Sequence, residues 1–95
     1  VLWYAQAMPA NYFDTPSPRV FGHRGAAGEA PENTLVSFER AVACGVDVFE
    51  LDVHATRDGT VVVLHDPTLE RTTDGQGAVR DLAWAELQQL DAGYQ

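Results

Sequence analysis

The sequence predicts an α/β fold built on a parallel sheet or barrel. Three observations predict it: an aliphatic and aromatic segment over 46–53, a nearly unbroken aliphatic run over 61–64, and an amphipathic stretch beginning at Leu35. Strands apolar on both faces, interleaved with amphipathic helices, are the pattern of parallel α/β architecture.

Residues 1–18 read as an extended lead-in. Tyr12 to Pro18 carries two prolines, a serine, a threonine and an aspartate, a composition of turns rather than elements. Ala5-Gln6-Ala7 superficially matches a signal-peptidase site, but no charged region precedes it. Met8 opens Met-Pro-Ala-Asn and offers an alternative start, which implies a cytoplasmic protein. Arg19 to His23 reads as a short strand running into a loop that holds Gly25 and Gly28. Pro31 and Asn33-Thr34 are helix-start signals. Leu35, Phe38, Ala41 and Val42 then recur at helical spacing up to Gly45, a C-cap glycine, giving a helix of about three turns.

Val46 to Val53 is the next strand, and Arg57-Asp58-Gly59 turns the chain. Val61 to Leu64 is a further strand, ending at His65-Asp66-Pro67. Thr68 to Asp81 reads as a long polar loop. Leu82 to Leu90 reads as a second helix with a core stripe of Trp84, Leu87 and Leu90, stopped by Gly93. Cys44 is expected to pack as a small apolar residue and His54 to be exposed.

Composition narrows the function classes. The 95 residues hold 14 acids against six bases, every base an arginine, for a net charge of −8. Nucleic-acid and anionic-membrane binding lose their usual basic footprint. One cysteine cannot form an internal disulfide. No apolar run approaches the roughly 20 residues of a membrane span. The 45% apolar and 21% charged fractions exclude a wholly disordered chain.

Strand parity selects the candidate site. Val48, Glu50, Asp52 and His54 share one strand face, while Phe49, Leu51 and Val53 share the other. Glu50 and Asp52 therefore stand side by side, roughly 7 Å apart at the backbone. They can converge on a hard divalent cation, or they can sit at a solvated strand end or pair with arginines. His23 and His65 each close a strand and open a polar loop, where catalytic groups collect in parallel α/β folds. Two imidazoles can serve one reaction as base and acid, and a structural role for each is the alternative. Arg24 can hold a phosphate or carboxylate bidentately, or form a salt bridge to Glu29 or Glu32. Asp66 and Arg71 flank the loop after His65, as supports of the site or as plain loop charges.

Taken together, six motifs in one order make a more specific pattern. His23-Arg24-Gly25, Pro31-Glu32-Asn33-Thr34, Glu50-Leu51-Asp52-Val53, Thr56-Arg57-Asp58-Gly59, His65-Asp66 and Arg71-Thr72-Thr73 resemble the amino-terminal signature of the glycerophosphodiester phosphodiesterase family. The resemblance runs from Arg19 to Gly93. It implies the N-terminal portion of a TIM (β/α)8 barrel, about three strands and two helices, with residues 19–95 a partial catalytic domain. It further implies hydrolysis of a small glycerophosphodiester to glycerol 3-phosphate and an alcohol. By position, His23 and His65 match the family's catalytic histidines, as base and acid respectively. Glu50 and Asp52 match two metal ligands, for Mg²⁺ or Ca²⁺, and Arg24 matches the phosphate-binding arginine.

The family draws a further carboxylate, and usually a lysine, from a later strand, and this chain has no lysine. Gly22 before His23 and Ala83 at the second helix start are smaller departures. A non-catalytic metal- and phosphate-binding partial barrel is one alternative. A related barrel phospholipase, of the phosphatidylinositol-specific or sphingomyelinase D type, is another. The resemblance leaves the oligomeric state open and predicts low stability for the chain by itself, because its strand edges and helix faces lack partners.

Overall fold

The computed structural model describes residues 18–93. The expected lead-in over 1–18 therefore lies outside the described residues, apart from Pro18. Strand β1, Phe21–His23, is followed by helix α1, Leu35–Ala43, and by strand β2, Val48–Glu50. β1 and β2 pair in parallel, with Phe21 opposite Val48, Gly22 opposite Phe49 and His23 opposite Glu50. This is the β-α-β unit that the sequence predicts.

Local chemistry fixes α1. The Thr34 hydroxyl accepts from the Ser37 N–H at 3.2 Å, capping the first turn, and donates to the Pro31 carbonyl at 2.6 Å. Gly45, at φ 82°, ends the helix where a side chain would be strained. The inner stripe of α1 buries Ser37 and Ala41 completely. Ala41 sits where a Cβ on Gly22 would come within 3.3 Å of it, so the small residue before His23 is what lets the helix approach β1. Phe38 meets Phe49 edge to face, ring centroids 5.4 Å apart. Since α1 packs over Gly22 and Phe49, strand alternation directs His23 and Glu50 to the opposite face.

Two sequence expectations need correction here. The strand expected over 46–53 is divided into β2 and a second piece, β3, Val53–Ala55. Its alternation nevertheless runs through the break: residues 48, 50, 52 and 54 are half-buried while 49, 51, 53 and 55 are exposed. The strand expected over 61–64, β4 (Val61–Val63), runs antiparallel to β3, with Val53 opposite Val63 and Ala55 opposite Val61. The turn between them spans only residues 56–60, with Gly59 at φ 81°. Such a turn can reverse the chain but cannot make the long crossover that a parallel neighbour demands. β4 is thus the return arm of a hairpin rather than a third parallel stave.

The long loop after His65 is more ordered than its polarity suggests. Thr68 and Ala78 form an isolated antiparallel bridge, and Val79–Asp81 makes a 3₁₀ turn. Leu69 and Val79 are the buried anchors of this segment, at 2% and 1% exposure. The second helix, α2, is Trp84–Leu87, shorter than the 82–90 expected. Without a side-chain acceptor at Ala83, its start is held by Glu86, whose carboxylate accepts from the Ala83 N–H at 2.8 Å. Trp84 is 42% exposed and Cys44 is exposed, so neither is core. Among the described residues, no helix is long and apolar enough to cross a membrane.

Candidate active site

The functional side chains gather where β1 and β2 end. His23 closes β1, and its Nε2 lies 3.6 Å from Oε2 of Glu50, its partner in register. Glu50 Oε2 is buried and receives no hydrogen bond. The next residue, Arg24, donates its backbone N–H to the Glu50 carbonyl at 2.8 Å, extending the parallel ladder by one rung. Arg24 then leaves the strand in a left-handed conformation, φ 55°. Its carbonyl is held from two sides, by the Asn33 N–H at 2.9 Å and the buried Ser37 hydroxyl at 2.9 Å. Gly25, at φ 83°, completes the bend. A Cβ there would lie 2.3 Å from Ser37 Oγ and 2.7 Å from the Ser37 carbonyl carbon, so only glycine fits beside α1.

That bend turns the Arg24 guanidinium back over the carboxylates. Nε lies 3.4 Å from Asp52 Oδ2, and Nη1 donates to Glu32 Oε1 at 3.3 Å. The salt bridge to Glu32 that the sequence allowed is present, while Glu29 pairs with Arg40 instead. Asn33 is also left-handed, φ 57°, and its Nδ2 donates to Asp52 Oδ2 at 3.1 Å. Asparagine tolerates this conformation better than most residues, which explains its place just before the Thr34 cap.

The hairpin delivers His65. Leu64 donates its N–H to the Asp52 carbonyl at 2.9 Å, so the return arm sets His65 one residue beyond the partner of Asp52. His54 Nε2 donates to the His65 carbonyl at 2.9 Å, a contact the sequence reading of His54 as an exposed residue missed. His65 Nδ1 lies 2.7 Å from Asp66 Oδ1. Asp66 in turn accepts from Arg71, and the Arg71 hydrogen bond is the foremost reason its carboxyl sits well below the usual range. Arg71 also donates to Glu32, lowering that carboxyl too.

The structure thus draws the sequence-predicted residues into one neighbourhood: His23 and Glu50 in register, Arg24 on Asp52, and His65 beside Asp52 along the hairpin. Sequence reasoning allowed Glu32 as a partner of Arg24 but not of Arg71, took Asn33 as a helix-start residue only, and left Asp66 and Arg71 undecided.

Two carboxylates with one buried oxygen lacking any hydrogen bond form a donor set that suits a hard divalent cation in kind. Among the described residues, no group of three or more such side chains comes together. Glu50 and Asp52 would therefore supply only part of a coordination shell.

A parallel β-α-β start with acids, imidazoles and an arginine at its strand ends defines the class: the front of a (β/α)8 barrel. The glycerophosphoryl diester phosphodiesterase family matches residues 23–95, and the chain belongs to that family. A glycerophosphodiester phosphodiesterase of Caldanaerobacter subterraneus is 50% identical over 74 residues, covering 78% of this chain and 30% of that protein. Among solved structures, a glycerophosphodiester phosphodiesterase from Agrobacterium tumefaciens superposes with a TM-score of 0.79 at 44% identity, covering 81% of this chain and 33% of that one. A phosphodiesterase from Oleispira antarctica, solved with the product sn-glycerol-3-phosphate, gives 0.77 at 50% identity, covering 80% and 31%. The chain spans between 16% and 31% of the length of the Caldanaerobacter protein and other curated relatives.

Proposed function

We propose that the intact protein hydrolyses glycerophosphodiesters to glycerol 3-phosphate and an alcohol, and that residues 19–95 are the front part of its catalytic barrel. The observation that carries this reading is the placement of His23 and Glu50 in register at the ends of β1 and β2, with Arg24 on Asp52 and His65 one residue past the rung that joins Leu64 to Asp52. Family membership and the product held by the Oleispira relative support the substrate class.

In this reading His23 is the base, taking a proton at Nε2 from the attacking hydroxyl or water, with Glu50 Oε2 3.6 Å from that nitrogen. His65 is the acid, giving a proton to the departing alkoxide. Arg24 binds the phosphate: Nε and Nη1 are engaged by Asp52 and Glu32, and Nη2 is the edge assigned to a phosphoryl oxygen. Glu50 and Asp52 would hold Mg²⁺ or Ca²⁺, which supplies charge neutralisation at the phosphoryl group when bound.

The test is release of glycerol 3-phosphate from glycerophosphocholine by the intact protein and by its His23→Ala and His65→Ala variants. Each variant is expected to lose at least about a hundredfold in kcat with circular dichroism unchanged. Full activity in both correctly folded variants would overturn the reading. Preference for intact phospholipid over glycerophosphocholine would move the assignment to a barrel phospholipase.

A further inference from the structure

An ionic chain joins the loop after β1 to the loop after β4, and Asp66 stands at its active-site end. Asp66 Oδ2 accepts from Arg71 Nε at 2.8 Å, and Oδ1 accepts from Arg71 Nη2 at 3.0 Å. The same guanidinium donates to Glu32 from Nη2 at 2.6 Å and from Nη1 at 3.1 Å. Glu32 is braced by Arg24 in its turn. Asp66 cannot rotate away from His65 without giving up two charge-assisted bonds to a guanidinium that is itself clamped on its far side.

This arrangement dictates which ring nitrogen of His65 carries the proton. A carboxylate gripped by a guanidinium accepts hydrogen bonds and donates none. Asp66 Oδ1 is 2.7 Å from His65 Nδ1, so the short contact is favourable only when Nδ1 bears hydrogen. Nε2 is then the nitrogen left to exchange protons with a ligand. His54 holds the backbone of the same residue through the His65 carbonyl, which limits how far the ring can drift.

We propose that Asp66, locked by Arg71 and through it by Glu32, is a positioning residue that keeps the His65 proton on Nδ1 and presents Nε2 to the leaving oxygen of the substrate. The placement of Nε2 against substrate rests on the reading of His65 as the acid; the tautomer itself does not. When the imidazolium passes its Nε2 proton to the alkoxide, the ring returns to the neutral Nδ1–H form, and Asp66 stays ionised throughout.

The deciding measurement is a long-range ¹H–¹⁵N spectrum of the His65 ring in the intact protein, at about pH 8.5 where an ordinary imidazole is neutral. Wild type is expected to show a protonated Nδ1 and an unprotonated Nε2. Asp66→Ala is expected to lose that preference, and Arg71→Ala to weaken it, with the β3 and β4 amide signals retained. A protonated Nε2 in wild type overturns the proposal whatever the variants do. An unchanged spectrum in a folded Asp66→Ala chain overturns it as well. In the intact enzyme, Asp66→Ala should lower kcat about a hundredfold with KM within about threefold. A raised KM at unchanged kcat would instead make Asp66 a binding residue and end the proposal. If the tautomer is fixed as expected but His65→Ala remains active, the catalytic reading of His65 has failed while the Asp66 contact stands.

Discussion

The Ser37 hydroxyl, fully buried on α1, donates to the Arg24 carbonyl at 2.9 Å, so the first helix holds the left-handed residue whose guanidinium is proposed to bind phosphate. Nothing about Ser37 touches substrate in the proposed reaction, yet the position of Arg24 depends on it. Ser37→Ala leaves that carbonyl one donor short in a buried site, which costs about 1–3 kcal/mol. Urea unfolding should show the loss as a lower midpoint at unchanged slope. An unaltered midpoint would mean that the Asn33 N–H alone suffices.

Acid should weaken the loop-to-loop clamp in a defined window. The Asp66 and Glu32 carboxyls are lowered on folding, in each case first by the Arg71 hydrogen bond. A lowered carboxyl adds stability above its unfolded value and loses it as pH falls toward the folded one. Stability should therefore be level near neutrality and fall below about pH 4.5. Both carboxylates are half-buried, but the Arg71 guanidinium that joins them is about half exposed to solvent, so the effect is modest. Denaturation midpoints followed from about pH 6 to pH 2 should decline less steeply in Asp66→Asn than in wild type.

A divalent cation should stabilise the intact protein through Glu50 and Asp52. Thermal melting with rising Mg²⁺ or Ca²⁺ is expected to shift upward in wild type, because a ligand that binds only the native state stabilises it by mass action. Glu50→Gln and Asp52→Asn should blunt the shift, and chelation with EDTA should reverse it. Equal shifts in all three proteins would place the cation elsewhere.

The hairpin tip has its own anchor. Asp58 accepts from the Thr56 hydroxyl and from the Trp84 N–H, the latter at 3.1 Å, and Arg57 donates its N–H to the Leu82 carbonyl at 2.9 Å. Asp58→Ala should free the start of α2 from the hairpin. Hydrogen exchange at the Trp84 amide is expected to rise while exchange in α1 stays unchanged.

How far these relationships were legible in the sequence depends on their range. α1 was readable because its cap, apolar stripe and terminal glycine lie within one dozen residues. The common face of Glu50 and Asp52 was readable from period two alone, and it survived the interruption at Leu51. The direction of β4 was misread although the signal was present: a turn as short as 56–60 admits only reversal. The short α2 was overcalled because its apolar spacing implied a core that Trp84 does not enter. The Glu32–Arg71 contact spans 39 residues, and no local pattern announces such a pair.

The conformation of Arg24 sets backbone strain against the role proposed for its guanidinium. Glycine at this position would relieve the left-handed backbone and delete the guanidinium in one step. Arg24→Gly would thus ease the backbone while removing the guanidinium from Glu32 and Asp52 and, in the proposed reaction, from phosphate. An engineer improving this scaffold should hold position 24 fixed and look for gains at the hairpin tip instead.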